Sequence, residues 1–159
     1  MTKSSPHQIS DSRITISQAG LRDVRATYHL EQEIFPLDAY PYFDLLMLFL
    51  TPRIITLKAV DQNGGLAGFV CGSRPWIGIF PAWIITLGVG LIFQRQGIGN
   101  QLLRACEEQM RARRVRLTVR ASNDPAISLY NQNGYVRIGF RRQYYIDGED
   151  GIVMEKRFR

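Results

Sequence analysis

Cysteine and histidine are scarce in this chain of 159 residues, with two of each, and that scarcity removes whole classes of chemistry. Cys71 and Cys106 lie far apart in apolar surroundings, so they form neither a CxxC metal pair nor the framework of a small secreted domain. Both read as buried structural thiols, and a reducing, cytoplasmic setting is expected. No His/Cys cluster has metal-ligand spacing, so no metal site is expected. The Gly-x-Ser-x-Gly elbow of hydrolases is absent. Proline is sparse at 7 residues and charge stands at 21%, which excludes disordered and collagen-like chains. Long apolar runs are also lacking, apart from Trp76 to Phe93, which carries no charge. Pro81 interrupts that run, Gly78, Gly88 and Gly90 weaken it, and its β-branched and aromatic content predicts a turn and a buried strand rather than a membrane span. Residues 1–13 are polar and without an apolar signal segment; they are expected to form a disordered tail ahead of one domain over 14–159.

What is present is 45% hydrophobic residues, enough for one core, and a formal charge of +6. All of the excess lies in residues 95–159, and arginine supplies 17 of the 20 basic side chains. Arginine favours bidentate contact with phosphate and carboxylate, which points to an anionic ligand or partner. A solvated basic face around Arg111, Arg113, Arg114 and Arg116 accounts for much of the same charge.

Period and punctuation give the elements. Strands are predicted at 14–16, 54–60, 66–73, 82–89, 115–119, 135–144 and 151–157. Helices are predicted at 21–33, 42–49, 97–113, and from Asn123-Asp124-Pro125 to the stop at Gly134. The order predicts an α/β (α+β) domain with a mixed, mainly antiparallel seven-stranded sheet flanked by about four helices, with parallel pairing where a helix links the fourth and fifth strands.

The most informative stretch joins the fourth strand to the third helix, Val89 to Asn100. Gly97 and Gly99 permit close backbone approach, and free N–H groups at the helix start, beside Arg95, form an anion site. Leu102 stands where a dinucleotide GxGxxG needs its third glycine, and no Gly-Lys-Ser/Thr follows. Gln94-Arg95-Gln96-Gly97-Ile98-Gly99 resembles the acetyl-CoA pyrophosphate loop of the GCN5-related N-acetyltransferases (GNAT). Val119-Arg120-Ala121-Ser122-Asn123, Ala126 to Tyr130, Gly134-Tyr135 and Arg141 to Tyr145 are similar to the ribosomal-protein-alanine N-acetyltransferases of that superfamily.

The resemblance implies an N-acetyltransferase that moves acetyl from acetyl-CoA to an amine by direct attack in a ternary complex. It implies that Leu87, Gly88 and Val89 offer backbone groups to the pantetheine arm, that Gln94 to Asn100 hold the pyrophosphate, and that Asn123 touches the cofactor. Val89 N–H, exposed by a bulge where its strand splays, would stabilise the oxyanion, and Tyr130 would protonate the leaving thiolate. Phe35, Pro36, Tyr40, Tyr144 and Tyr145 frame a peptide slot on this reading; ordinary core and hairpin packing explains them equally well. The family's glutamate on the fifth strand is replaced by Thr118, which cannot act as a base near neutral pH. That loss favours an α-amine, with pKa about 7.8, over a lysine, with pKa about 10.4. A protein N-terminus, ribosomal or other, is the expected acceptor. An acyl-CoA sensor without activity and an acetyltransferase of small amines remain alternatives. Neither a membrane nor nucleic acid is expected as a partner, and the oligomeric state is not legible.

Overall fold

A computed structural model describes residues 14–159; the predicted tail over 1–13 lies outside the described residues. Seven strands form one sheet, β1 (Thr15–Gln18), β2 (Ile54–Val60), β3 (Leu66–Ser73), β4 (Ala82–Val89), β5 (Arg114–Arg120), β6 (Val136–Arg141) and β7 (Gly151–Arg157), in the order β1-β2-β3-β4-β5-β7-β6. All neighbours are antiparallel except β4 and β5. Helices α1 (Val24–Ile34) and α2 (Tyr42–Leu50) contact β2, β3 and β4, while α3 (Ile98–Met110) packs on β1 to β4 and α4 (Asp124–Gln132) follows β5. The predicted architecture holds. The stretch from Trp76 to Phe93 is a loop, then β4, then a short 3-10 turn.

Boundaries moved where the backbone turns left-handed. Arg111 adopts φ 49° and ends α3 at Met110, short of the expected Arg113. Gln143 at φ 48° lies past β6, which stops at Arg141 rather than Tyr144. One face of α3, with Leu102, Leu103, Cys106 and Met110, fills the space against Ile55, Leu57, Val70 and Ile84 of the sheet, with Leu117 and Tyr135 completing this core. Gly72 is where α3 comes closest: a Cβ there would meet Met110 Cε at 2.2 Å and Cys106 Sγ at 2.8 Å. Both cysteines are buried and unpaired, as expected. Burial pushes the Cys106 thiol up to about 12, so it stays protonated and unreactive.

An irregularity in β4 sets the site. Cys71 pairs with Thr86 but Gly72 with Ile84, so Ile85 is an extra residue in the strand. Ala82 and Ile84 face the α3 core, and the extra residue resets the alternation so that Leu87 and Val89 return to that side. The bulge therefore sits at Ile85, four residues before the expected position at Val89.

Candidate active site

The parallel pairing of β4 with β5 covers only Ala82↔Val115 and Trp83↔Arg116. Beyond it the strands part, and a cleft of about 960 Å³ opens at their carboxyl ends, where open sheets with a parallel pair place ligands. Leu87, Gly88 and Val89 line it from β4, Gln94, Arg95, Gly97, Ile98, Gly99 and Asn100 from the loop and start of α3, and Asn123 from the start of α4. Ten of the residues that the sequence nominates for cofactor contact are thus brought together. Gln96 and Tyr130 do not line the cleft; the Gln96 amide donates to the Ile92 carbonyl at 3.3 Å.

Backbone groups dominate this wall. Gly90 N–H donates to the Ala67 carbonyl at 2.9 Å. Antiparallel bonds alternate, so Gly88 and Thr86 also face β3, while Leu87 and Val89 turn their N–H and C=O groups into the gap left by β5. Gln94 Nε2 donates to the Val89 carbonyl at 3.1 Å, which leaves the Val89 N–H as the outward donor. Its exposure comes from the parting of the strands. Gly97 caps α3 at φ 78°, a left-handed conformation that suits glycine, and Arg95 shares it at φ 63°. No side chain caps α3, so its first N–H groups face the cleft beside the Arg95 guanidinium. A Cβ on Gly99 would meet Leu129 at an ordinary 3.4 Å, so alanine fits there.

The far side of the cleft is built by charge. Arg120, at the end of β5, donates to both oxygens of Asp38 at 2.5 and 2.7 Å, to Asp147 at 2.8 Å and to Glu149 at 2.6 Å. Its guanidinium also lies 4.2 Å over the Tyr145 ring. Hydrogen bonds to Asp38 and Asp147 raise its pKa further, and bonds to Arg120 and within the turn hold the Asp147 carboxyl below its usual range. The α1–α2 loop and the β6–β7 loop are thereby tied to one side chain. The sequence names Arg120 only as part of a motif and does not single out Asp38; three carboxylates in two loops near one arginine of a strand end is the signal that finds them.

Phe35 and Pro36 line the cleft; Tyr40, Thr118, Tyr144 and Tyr145 do not. Thr118 lies under Gly151 and Tyr144, its Oγ1 buried without a hydrogen-bond partner. Tyr144 and Tyr145 stack edge-on at 5.1 Å. Tyr130 is 7% exposed, its ring 5.7 Å from Tyr135, and burial pushes its phenol up to about 12. Behind β4, Glu31 of α1 is 1% exposed; Thr86 Oγ1 donates to it at 3.4 Å, and burial pushes its carboxyl up to about 7 despite the Tyr40 N–H and Thr86. Among the described residues no group of side chains could hold a metal ion.

Residues 22–135 match the acetyltransferase (GNAT) family. The chain belongs to that family. It is 33% identical over 146 residues to the ribosomal protein bS18-alanine N-acetyltransferase of Escherichia coli K12, covering 88% of this chain and 95% of that one. The crystal structure of the ribosomal-protein-S18-alanine N-acetyltransferase from Escherichia coli superposes with TM-score 0.80 at 30% identity, over 91% of this chain and 94% of that one. Arabidopsis thaliana NAA60 in complex with acetyl-CoA shares the fold, with TM-score 0.80 at 20% identity over 92% and 100%. This GNAT chain is an acetyl-CoA-dependent N-acetyltransferase.

Proposed function

We propose that this enzyme acetylates the N-terminal α-amine of a protein, in the cytoplasm, with ribosomal proteins as the leading acceptor class. One observation carries the reading: the splayed end of β4 presents a fixed backbone donor between an anion-binding helix start and two loops clamped by Arg120. A chain terminus presents its amine at the end of an extended backbone, and a cleft bordered by the α1–α2 loop at Phe35, Pro36, Leu37 and Asp38 suits that shape. The name of the Escherichia coli relative, an alanine N-acetyltransferase of a ribosomal protein, supports the same acceptor.

The residues present fit acetyl-CoA, which supplies the acetyl group as an activated thioester. The N–H groups from Gly97 to Asn100 and the Arg95 side chain would hold its diphosphate. Leu87 and Val89 would hold the pantetheine arm by backbone bonds, and Asn123, whose Oδ1 already accepts from Ala126 N at 3.2 Å, has its amide N–H₂ left to offer. Val89 N–H is a preorganised donor for negative charge on an acyl oxygen, worth about 10²–10³ in rate where such donors have been removed. Tyr130, next in α4 to cleft-lining Leu129, keeps its proton up to about pH 12 and is the acid on this reading. Thr118 accepts no proton at neutral pH, so only the fraction of amine that arrives unprotonated can attack. About a tenth of an α-amine is in that form at pH 7, against about one part in a few thousand of a lysine.

The pH profile tests this reading. With an alanine-initiated peptide, log kcat/KM is expected to rise with unit slope and level off near pH 8, the α-amine pKa, with no fall up to pH 10 because Tyr130 stays protonated. A bell centred near neutrality, reporting an enzyme base, would contradict it.

A further inference from the structure

The end of the molecule away from the cleft carries a feature that acetyl transfer leaves unused. The cleft lies at the carboxyl end of β4 and the β3–β4 loop at its start, about 25 Å away along the strand. In that loop Trp76, Ile77, Ile79 and Phe80 are all exposed, Trp76 by 75% and Ile79 by 70%. Four large apolar side chains within five residues of a hairpin tip mark a contact surface. Arginines ring its base. The Arg53 guanidinium lies 4.5 Å over the Trp76 ring and donates to the Pro75 carbonyl. Arg114 donates to the Ile79 carbonyl, and Arg74 to the Gln109 carbonyl at the end of α3. Arg113, exposed, adjoins Arg114. Among the described residues none of the four has a carboxylate partner.

We propose that this tip and its arginine collar dock on an anionic lipid bilayer surface. The collar is unneutralised, so its complement is a dense field of negative charge. A second copy of the chain would set one collar against another. A nucleic acid would satisfy the arginines yet gain little from Ile77 and Ile79, since bases stack on aromatic faces, and one face of Trp76 is already covered by Arg53. The loop backbone is in part prepared for an apolar boundary, where carbonyls are best satisfied from within: that of Pro75 accepts from Arg53, that of Ile77 from Phe80 N–H at 2.9 Å, and that of Ile79 from Arg114. Apolar tip, interfacial Trp76 and a snorkelling arginine collar form the pattern of peripheral insertion. No helix among the described residues is long and apolar enough to cross a membrane, so the contact is a surface one.

Sedimentation of the full chain with vesicles tests the proposal. Vesicles of phosphatidylcholine with phosphatidylglycerol are expected to carry the protein down and shift its tryptophan emission to shorter wavelength; phosphatidylcholine alone is not. The double variant Trp76→Ser/Ile79→Ser should bind at least about tenfold more weakly, with its peptide acetylation unchanged. Arg113→Glu, a surface change that leaves the tip intact, should weaken binding and its salt dependence together. No binding to the mixed vesicles, equal binding to neutral ones, or binding indifferent to both variants overturns the proposal. So does a dimer in light scattering, or capture of an RNA hairpin, that is lost in the double variant while vesicles go unbound.

Discussion

Tyr130 and Glu31 show how burial assigns roles to single residues in this enzyme. Among the described residues nothing accepts the Tyr130 phenol proton, and desolvation keeps that proton in place up to about pH 12. Tyr130→Phe is expected to lower kcat by about a hundredfold while leaving the KM for acetyl-CoA within about twofold, the signature of a proton donor rather than a binding group; steady-state kinetics decides. Glu31 acts on stability instead. Its carboxyl titrates at about 7 in the fold and at 4.5 when unperturbed. Between those values the native state holds a proton that the unfolded chain has released, so stability falls as pH rises from 4.5 to 7 and stays lower above. The loss is of the order of 3 kcal/mol. Glu31→Gln is expected to abolish that slope, so urea midpoints at pH 5 and pH 8 should converge; an unaltered difference would place the titration elsewhere.

At the scale of elements, the α1–α2 loop that borders the cleft is tied to the β6–β7 loop through one guanidinium. Arg120 joins Asp38 of the α1–α2 loop to Asp147 and Glu149 of the β6–β7 loop. Arg120→Ala leaves three carboxylates facing one another and frees both loops. Peptide KM is expected to rise at least about tenfold with acetyl-CoA KM unchanged, and Arg120→Lys to recover only part, because an ammonium cannot reproduce the bidentate fork. Equal effects on both substrates would refute the division of labour. The elements themselves were legible because their signals are local: alternation in β2 and β3, the Asn123 cap with Pro125 behind it, and Gly134 as a stop. What escaped was long-range or conformational. The extra residue at Ile85 follows from register against β3, the left-handed turns at Arg111 and Gln143 fall on residues that do not announce them, and the Arg120 cluster spans 82 positions from Asp38.

Over the whole molecule the positive excess of the C-terminal part divides. Arg120 is spent internally on three carboxylates, and Arg116 and Arg157 are held by buried Glu155. Arg95 and Arg104 line the cleft, and Arg113 and Arg114 stand at the opposite end beside Arg53 and Arg74 of the N-terminal part. On the proposed reading a helix start and the Arg95 side chain serve the cofactor's diphosphate, while Arg113 and Arg114 stand away from the chemistry. With that separation, the proposed acetylation of a protein N-terminus predicts an acceptor selected by its amine and backbone rather than by a basic surface. The most direct measurement follows from it: one peptide carrying both a free N-terminal alanine and an internal lysine, incubated with enzyme and acetyl-CoA and sequenced by fragmentation mass spectrometry. Acetyl on the α-amine, with lysine modified at least about a hundredfold more slowly, is the expected result; acetyl on the lysine first, or on neither amine, would contradict N-terminal acetylation outright.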